Sequence, residues 1–132
     1  MDHSFFIYGY SRHSKDLYPT NKGQDFYIHL SEPVHLEGEW ECGLVQFQYN
    51  ASSESPYYVC CDIVAESYAG DFKLPILRRV RLKNTQFSHV IYVPLKTRDF
   101  SSIHFYLKSW NNKTPFSVRG GTHCTLHFRR VA

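Results

Sequence analysis

Residues 25–30, Asp-Phe-Tyr-Ile-His-Leu, put Phe26, Ile28 and Leu30 on one face of an extended chain and Tyr27 and His29 on the other. The same period of two returns along the sequence. Tyr57, Val59, Cys61 and Ile63 alternate with Tyr58, Cys60, Asp62 and Val64. Ile103, Phe105 and Leu107 alternate with His104, Tyr106 and Lys108, and Cys124, Leu126 and Phe128 with Thr125, His127 and Arg129. Phe5–Tyr8 and Val90–Leu95 are shorter runs of this kind, the second marked as an edge or strand end by Pro94. Trp40 and Cys42 share a face before the apolar set moves to Val45, Phe47 and Tyr49, a change of phase that a β-bulge at Gly43 would produce.

Turn residues separate these runs. Ser11–Gln24 is polar, carries Pro19, Asn21 and Gly23, and reads as a loop. Pro33 and Gly38 bracket a turn, Asn50–Pro56 and the region around Gly70 are loops, and Asn111-Asn112 and Gly120-Gly121 mark two further turns. The pattern predicts about eight short strands and no amphipathic helix. The expected fold is all-β, an eight-stranded single jelly-roll sandwich occupying residues 1–132 as one domain. An immunoglobulin-type sandwich is the rival, but it prefers cysteines on two strands straddling a tryptophan, and Trp40 here lies just before Cys42.

Composition agrees with β structure. Aromatics reach 17%, with 10 Phe and 10 Tyr against a single Met, which suits a pleated surface better than a helical bundle. The net charge of +3 falls short of a dedicated nucleic-acid binder, so contact with phosphates is the lesser reading. The opening MDHSFFIYGYSRH is too short and polar for a signal peptide, and no run approaches the roughly 20 apolar residues of a membrane span, so no membrane insertion is expected. Cys42, Cys60, Cys61 and Cys124 match no zinc spacing and read as small reduced hydrophobes, with only one of the adjacent Cys60–Cys61 pair able to enter a given core. The sequons at Asn50 and Asn112 matter only in a secreted protein.

The sequence offers no catalytic constellation. The 8 histidines include no H-x-H pair, and His123 and His127 on one strand would lie roughly 13 Å apart, too far to share one zinc. Neither a G-x-S-x-G nucleophile motif nor a phosphate-cradling glycine loop opening a helix is present. No catalytic residue, metal ligand, cofactor or small-molecule substrate is therefore expected. The most pointed charge feature is the strand carrying Arg78, Arg79, Arg81 and Lys83, together with Arg129 and Arg130 near the C-terminus. These six are the candidate contacts to a neighbouring subunit or an acidic partner, set against the plainer reading of a solvated strand whose charges discourage edge-to-edge aggregation.

Two regions carry a resemblance. One is DFYIHLSEPVHLEGEWECGLVQFQY, with its L-x-G-x-W-E-x-G-L core at Leu36–Leu44. The other is IYVPLKTRDFSSIHFYLKSWNNKTPFSVRGGTHCTLHFRR, with Pro94, Ile103, Phe105, Leu107, Phe116, Gly120 and the final Leu126-His127-Phe128-Arg129. Together they resemble the small capsid proteins of Polinton (Maverick) elements and adintovirus-like viruses. The resemblance implies a penton-type minor capsid protein: a viral structural protein with a single jelly roll, forming a homopentamer at the vertices of a shell whose faces are a double-jelly-roll major capsid protein. It also implies a place in the virion, with assembly in the host cell nucleus or cytoplasm. Many pentons carry an added insertion, and 132 residues leave little room for one, so a bare vertex plug is the form expected. The alternatives are a secreted, tumour-necrosis-factor-like trimer, which would need a signal or anchor, and a cupin-like or carbohydrate-binding sandwich in which tyrosines such as Tyr27 or Tyr106 stack on sugars.

Overall fold

A computed structural model describes residues 4–49, 56–81, 84–109 and 121–131. Asn50, Lys83, Asn111, Asn112, Phe116 and Gly120 lie outside the described residues, and with them both sequons and parts of two expected turns. The described residues form eleven strands and no helix: β1 (Ser4–Tyr10), β2 (Asp25–His35), β3 (Glu39–Gln48), β4 (Tyr57–Cys61), β5 (Ser67–Ala69), β6 (Phe72–Leu74), β7 (Ile76–Val80), β8 (Asn84–Gln86), β9 (Tyr92–Pro94), β10 (Asp99–Ser109) and β11 (His123–Val131). Every strand pairing is antiparallel. The first sheet runs β1-β11-β3, with β8 and β9 both lying along the far side of β3. The second runs β2-β10-β4-β7, and β5-β6 is a separate hairpin.

The two sheets share one apolar core. Leu44, Phe47, Leu126 and Phe128 of the first meet Phe26, Val59, Ile103 and Phe105 of the second in a single buried cluster. Phe128 links the layers: its ring stacks on Phe5 of its own sheet at 4.8 Å and on Phe100 of the other at 6.1 Å. These are the residues the alternation assigns to one face, because a period of two on a pleated strand sends every second side chain inward. All four cysteines are free and buried, and burial holds their thiols well above the ordinary range. Cys61 joins the central cluster and Cys60 does not, as expected for neighbours on a strand.

Where phase breaks, the structure relocates the break. The bulge expected at Gly43 lies two residues later: Leu126 pairs with Leu44 and Thr125 with Gln46, leaving Val45 as the extra residue. Leu44 therefore extends the buried face of Trp40 and Cys42 before Phe47 and Tyr49 take over. Gly43 has a different task. A Cβ there would sit 2.5 Å from Cγ1 of Val90 and 3.0 Å from the Ile91 carbonyl, so its bare backbone is what lets the segment leading into β9 lie against β3. A second bulge occurs on β7, where Val59 pairs with Arg78 but Cys60 with Ile76, and Leu77 goes to the core instead of sharing a face with Arg79.

Strand ends also differ from expectation. The turn expected from Pro33 is instead the far part of β2, where the register against β10 slips between Phe100 and Ser102. A strand can hold Pro33 there because β2 is an edge and its outward N–H is dispensable. The loop around Gly70 is a hairpin tip, with Gly70 at φ +59° as first residue of a two-residue turn between Ala69 and Phe72, the glycine position of a type II′ turn. The Ser11–Gln24 segment is a loop, but not a free arm. Asn21 uses its side-chain amide as a strand would use its backbone, donating to the Tyr27 carbonyl and accepting from the Tyr27 N–H, both at 2.8 Å. Ser14 Oγ accepts from the His29 N–H at 2.9 Å, and Thr122 Oγ1 donates to the Gly23 carbonyl at 2.7 Å.

The close approach at Gly43 is testable by calorimetry or urea unfolding. Gly43→Ala is expected to destabilise by about 1–3 kcal/mol, since overpacking must displace the Ile91 backbone. An unchanged urea midpoint would mean that Val90 and Ile91 retreat freely.

Candidate interaction surfaces

The outward side of the first sheet is built from alternate residues of β1, β11, β3 and β9. Pairing sets Phe6 beside His127, Tyr8 beside Thr125 and Tyr10 beside His123. The rings then stack: Phe6 on His127 at 4.6 Å, Phe6 on Tyr8 at 6.2 Å, Tyr10 on His123 at 4.0 Å. Phe6 and Tyr8 remain 49% and 71% exposed, which makes β1 the most apolar outer strand of this face. Across β11 the His127 Nδ1 is hydrogen-bonded to the Tyr92 hydroxyl at 2.8 Å. Arg129 lies over the Tyr92 ring at 3.4 Å and pairs with Glu41 at 3.2 Å. Desolvation, then the neighbouring Arg129 charge, lowers the His127 pKa below its ordinary 6.5, so the ring is neutral at pH 7 and Nδ1 can accept from Tyr92.

The second sheet carries a comparable ladder. Tyr18 stacks on Tyr27 at 4.9 Å, Tyr27 on His104 at 4.1 Å, and His104 meets Tyr106 at 4.8 Å. Lys108 lies 5.9 Å from the Tyr106 ring centre. The His104 Nε2 pairs with Asp25 Oδ1 at 2.6 Å, and its backbone N–H donates to Asp62 at 3.0 Å. An imidazole held by a carboxylate is half of a nucleophile-activating arrangement. The thiol beside Tyr106, Cys60, is held protonated by burial, with its pKa pushed to about 12. Tyr27 is stacked on the His104 ring, and the His104 and Asp25 side chains remain 22% and 42% exposed.

The six basic candidates do not form one patch. Arg78, Arg79 and Arg81 belong to the β7 edge of the second sheet, whereas Arg129 and Arg130 are on β11 within the first. Lys83 lies outside the described residues. Arg78 points toward the core side, donating to the His89 carbonyl at 2.7 Å and covering the Phe87 ring at 3.9 Å, and so ties the two sheets together at their open side. Arg79 pairs with Tyr58 on the outer face, and Arg81 is exposed. Arg129 is engaged with Glu41 and Tyr92, and the Arg130 guanidinium lies beside Gly38. What the sequence does not disclose is the row Phe6, Tyr8, His127 and Tyr92. Phe6 and Tyr8 are visible there as the off-phase residues of the first strand, but only strand order shows that they stand on an edge.

A shallow cleft of about 670 Å³ is lined by Trp40, Glu41, Tyr92, Leu95, Lys96 and Arg98, with charges of both signs. Among the described residues no group of three or more His, Cys, Asp or Glu is placed to hold a metal ion. His123 and His127 each turn to different aromatic partners. No helix among the described residues is long and apolar enough to cross a membrane. No family model, curated protein or solved structure matches this chain.

The lowered pKa of His127 has a sign. Above pH 6.5 the ring is neutral both folded and unfolded and contributes no pH dependence. As pH falls from there toward the folded midpoint the unfolded state binds the proton first, so stability declines, then levels off below the folded midpoint. NMR titration is expected to place His127 below 6.5, with protonation of Nδ1 breaking the hydrogen bond from the Tyr92 hydroxyl. A midpoint at or above 6.5 would remove this account.

Proposed function

We propose that the chain is a structural assembly protein: a penton-like capsid subunit with a single jelly-roll fold that forms homopentamers and sits among copies of a double-jelly-roll major capsid protein in the virion. The observation that carries this reading is strand order. Counting β8 and β9 as one interrupted strand and leaving the β5-β6 hairpin aside, the eight strand positions in chain order form sheets 1-8-3-6 and 2-7-4-5. The pairing of positions 1 with 8, 2 with 7, 3 with 6 and 4 with 5 supports a reading as a long hairpin rolled upon itself, the jelly-roll pattern of two Greek keys.

The surfaces support the same reading. Aromatic and histidine side chains, with few unpaired charges, occupy the outer faces of both sheets, a composition suited to protein contacts. Contacts between two different surfaces of the same chain run head to tail, and such contacts close into rings when the rotation permits. The sequence resemblance to Polinton and adintovirus-like capsid proteins supplies the five-fold symmetry and the major capsid partner. The sugar-binding alternative loses its first tyrosine, because Tyr27 is stacked between Tyr18 and His104 within the chain itself.

Native mass spectrometry and negative-stain microscopy of purified protein test the proposal. Five copies of the 15.5 kDa chain in a ring are the expected species, joining double-jelly-roll capsomers when the two are mixed. A chain that stays monomeric at high concentration and ignores such capsomers would end it.

A further inference from the structure

Every open sheet ends in two edge strands, and of the four edges of the two larger sheets three are guarded. On β2, Asn21 occupies both outward groups of Tyr27, Ser14 occupies the His29 N–H, and Pro33 interrupts the remainder. On the other edge of that sheet, β7 has five residues, a bulge at Leu77, and the exposed cations Arg79 and Arg81. The far side of the first sheet is split into β8 and β9, three residues each. These are the ordinary devices against edge-to-edge pairing.

The fourth edge, β1, has none of them. SFFIYGY runs seven residues in unbroken register with β11, with no proline, no bulge and no Asp, Glu, Lys, Arg or His. The Ser11 N–H donates to the Thr122 carbonyl, one step beyond the Tyr10–His123 pair. In an antiparallel ladder hydrogen-bonded pairs alternate, so Gly9, Ile7 and Phe5 bond to β11 while Tyr8 and Phe6 turn their N–H and C=O outward. Among the described residues no hydrogen bond reaches those four groups.

We propose that β1 is a self-association edge, on which a second copy of the chain pairs β1 to β1, antiparallel about a two-fold axis at Ile7. This register sets each Phe6 opposite the Tyr8 of the other copy, makes both hydrogen-bonded pairs, and joins the two first sheets into one continuous sheet. Charge favours the second copy as occupant. The paired strands bring no ionisable acid or base together, and Arg129, which flanks Ser4, ends about 20 Å from its symmetry mate, six residues along a strand. The contact is isologous and is made by the outward backbone groups of β1, so it is distinct from the head-to-tail contacts of the five-fold ring.

Parity supplies the test. Tyr8→Pro removes an N–H that β11 does not use and leaves the internal ladder intact, as proline on an edge strand can. Tyr8→Lys keeps the N–H but sets a cation against the Phe6 of the mate on a side chain that is already exposed, so it decides the matter if the proline variant fails to fold. Sedimentation equilibrium of the parent is expected to show an even-numbered species, a dimer or a pair of rings. Each variant should weaken that step about tenfold or more, the effect of losing two symmetric bonds or desolvating a charge. A parent without even-numbered species, or with one that both variants leave unchanged, overturns the proposal. Five-fold rings that persist in both variants, with no pairing in the parent, overturn it while sparing the ring; a variant-sensitive dimer that never forms rings upholds it and counts against the ring.

Discussion

Each outermost strand of a sheet presents backbone N–H and C=O groups that want partners, and much of this structure answers that demand. The Asn21 amide is the clearest case, because one side chain supplies both the donor and the acceptor that a neighbouring strand would have given Tyr27. The loop from Ser11 to Gln24 is consequently packed and partly buried, with the polar residues Ser11, Asn21 and Gln24 among those taken out of solvent. Arg78 serves a related end on the opposite edge, capping the space between the sheets by bonding the His89 carbonyl and covering Phe87. A basic residue read from sequence as a partner contact thus has internal work to do.

The alternation of residues such as Phe26, Ile28, Ile103 and Phe105 made the sheet class legible, since a two-residue period has one geometric meaning when it repeats with turn residues between. Phase shifts were less legible. Val45 and Leu44 are both apolar, so sequence alone could not say which was the extra residue, and the choice of Gly43 followed from its missing side chain. The structure gives that glycine another reason, the close approach of Val90 and Ile91. The bulge on β7 is equally hidden, because nothing in a run of apolar and basic residues marks Leu77 as the extra residue that goes to the core. Pro33 looked like a turn because the sequence does not disclose that β2 is an edge. The candidate surfaces were the least legible part: ring ladders such as Tyr27–His104 join residues 77 positions apart, and only register brings them side by side.

Both outer faces share a chemical character that bears on function. Their histidines are stacked on aromatic rings and fixed by a hydroxyl or carboxylate, at His127 and His104 respectively. A catalytic imidazole needs an open approach and a nucleophile or substrate within reach. Tyr27 lies against one face of the His104 ring, and the buried Cys60 thiol beside Tyr106 is held in its protonated form. Ring ladders of this kind are already ordered, so they cost little ordering entropy on association.

The strand order ties these points together. The first and last strands lie side by side, and β1, paired to β11 alone, forms one boundary of the first sheet. Its inward residues Phe5 and Ile7 pack on the core while Phe6 and Tyr8 face out, so one short strand closes the interior and forms the boundary of the first sheet. Guarding that edge from within would take another segment of chain, as the Asn21 loop does for β2. The described residues commit none to it, so among the edges of the two larger sheets β1 offers the longest unbroken run of open backbone to another molecule.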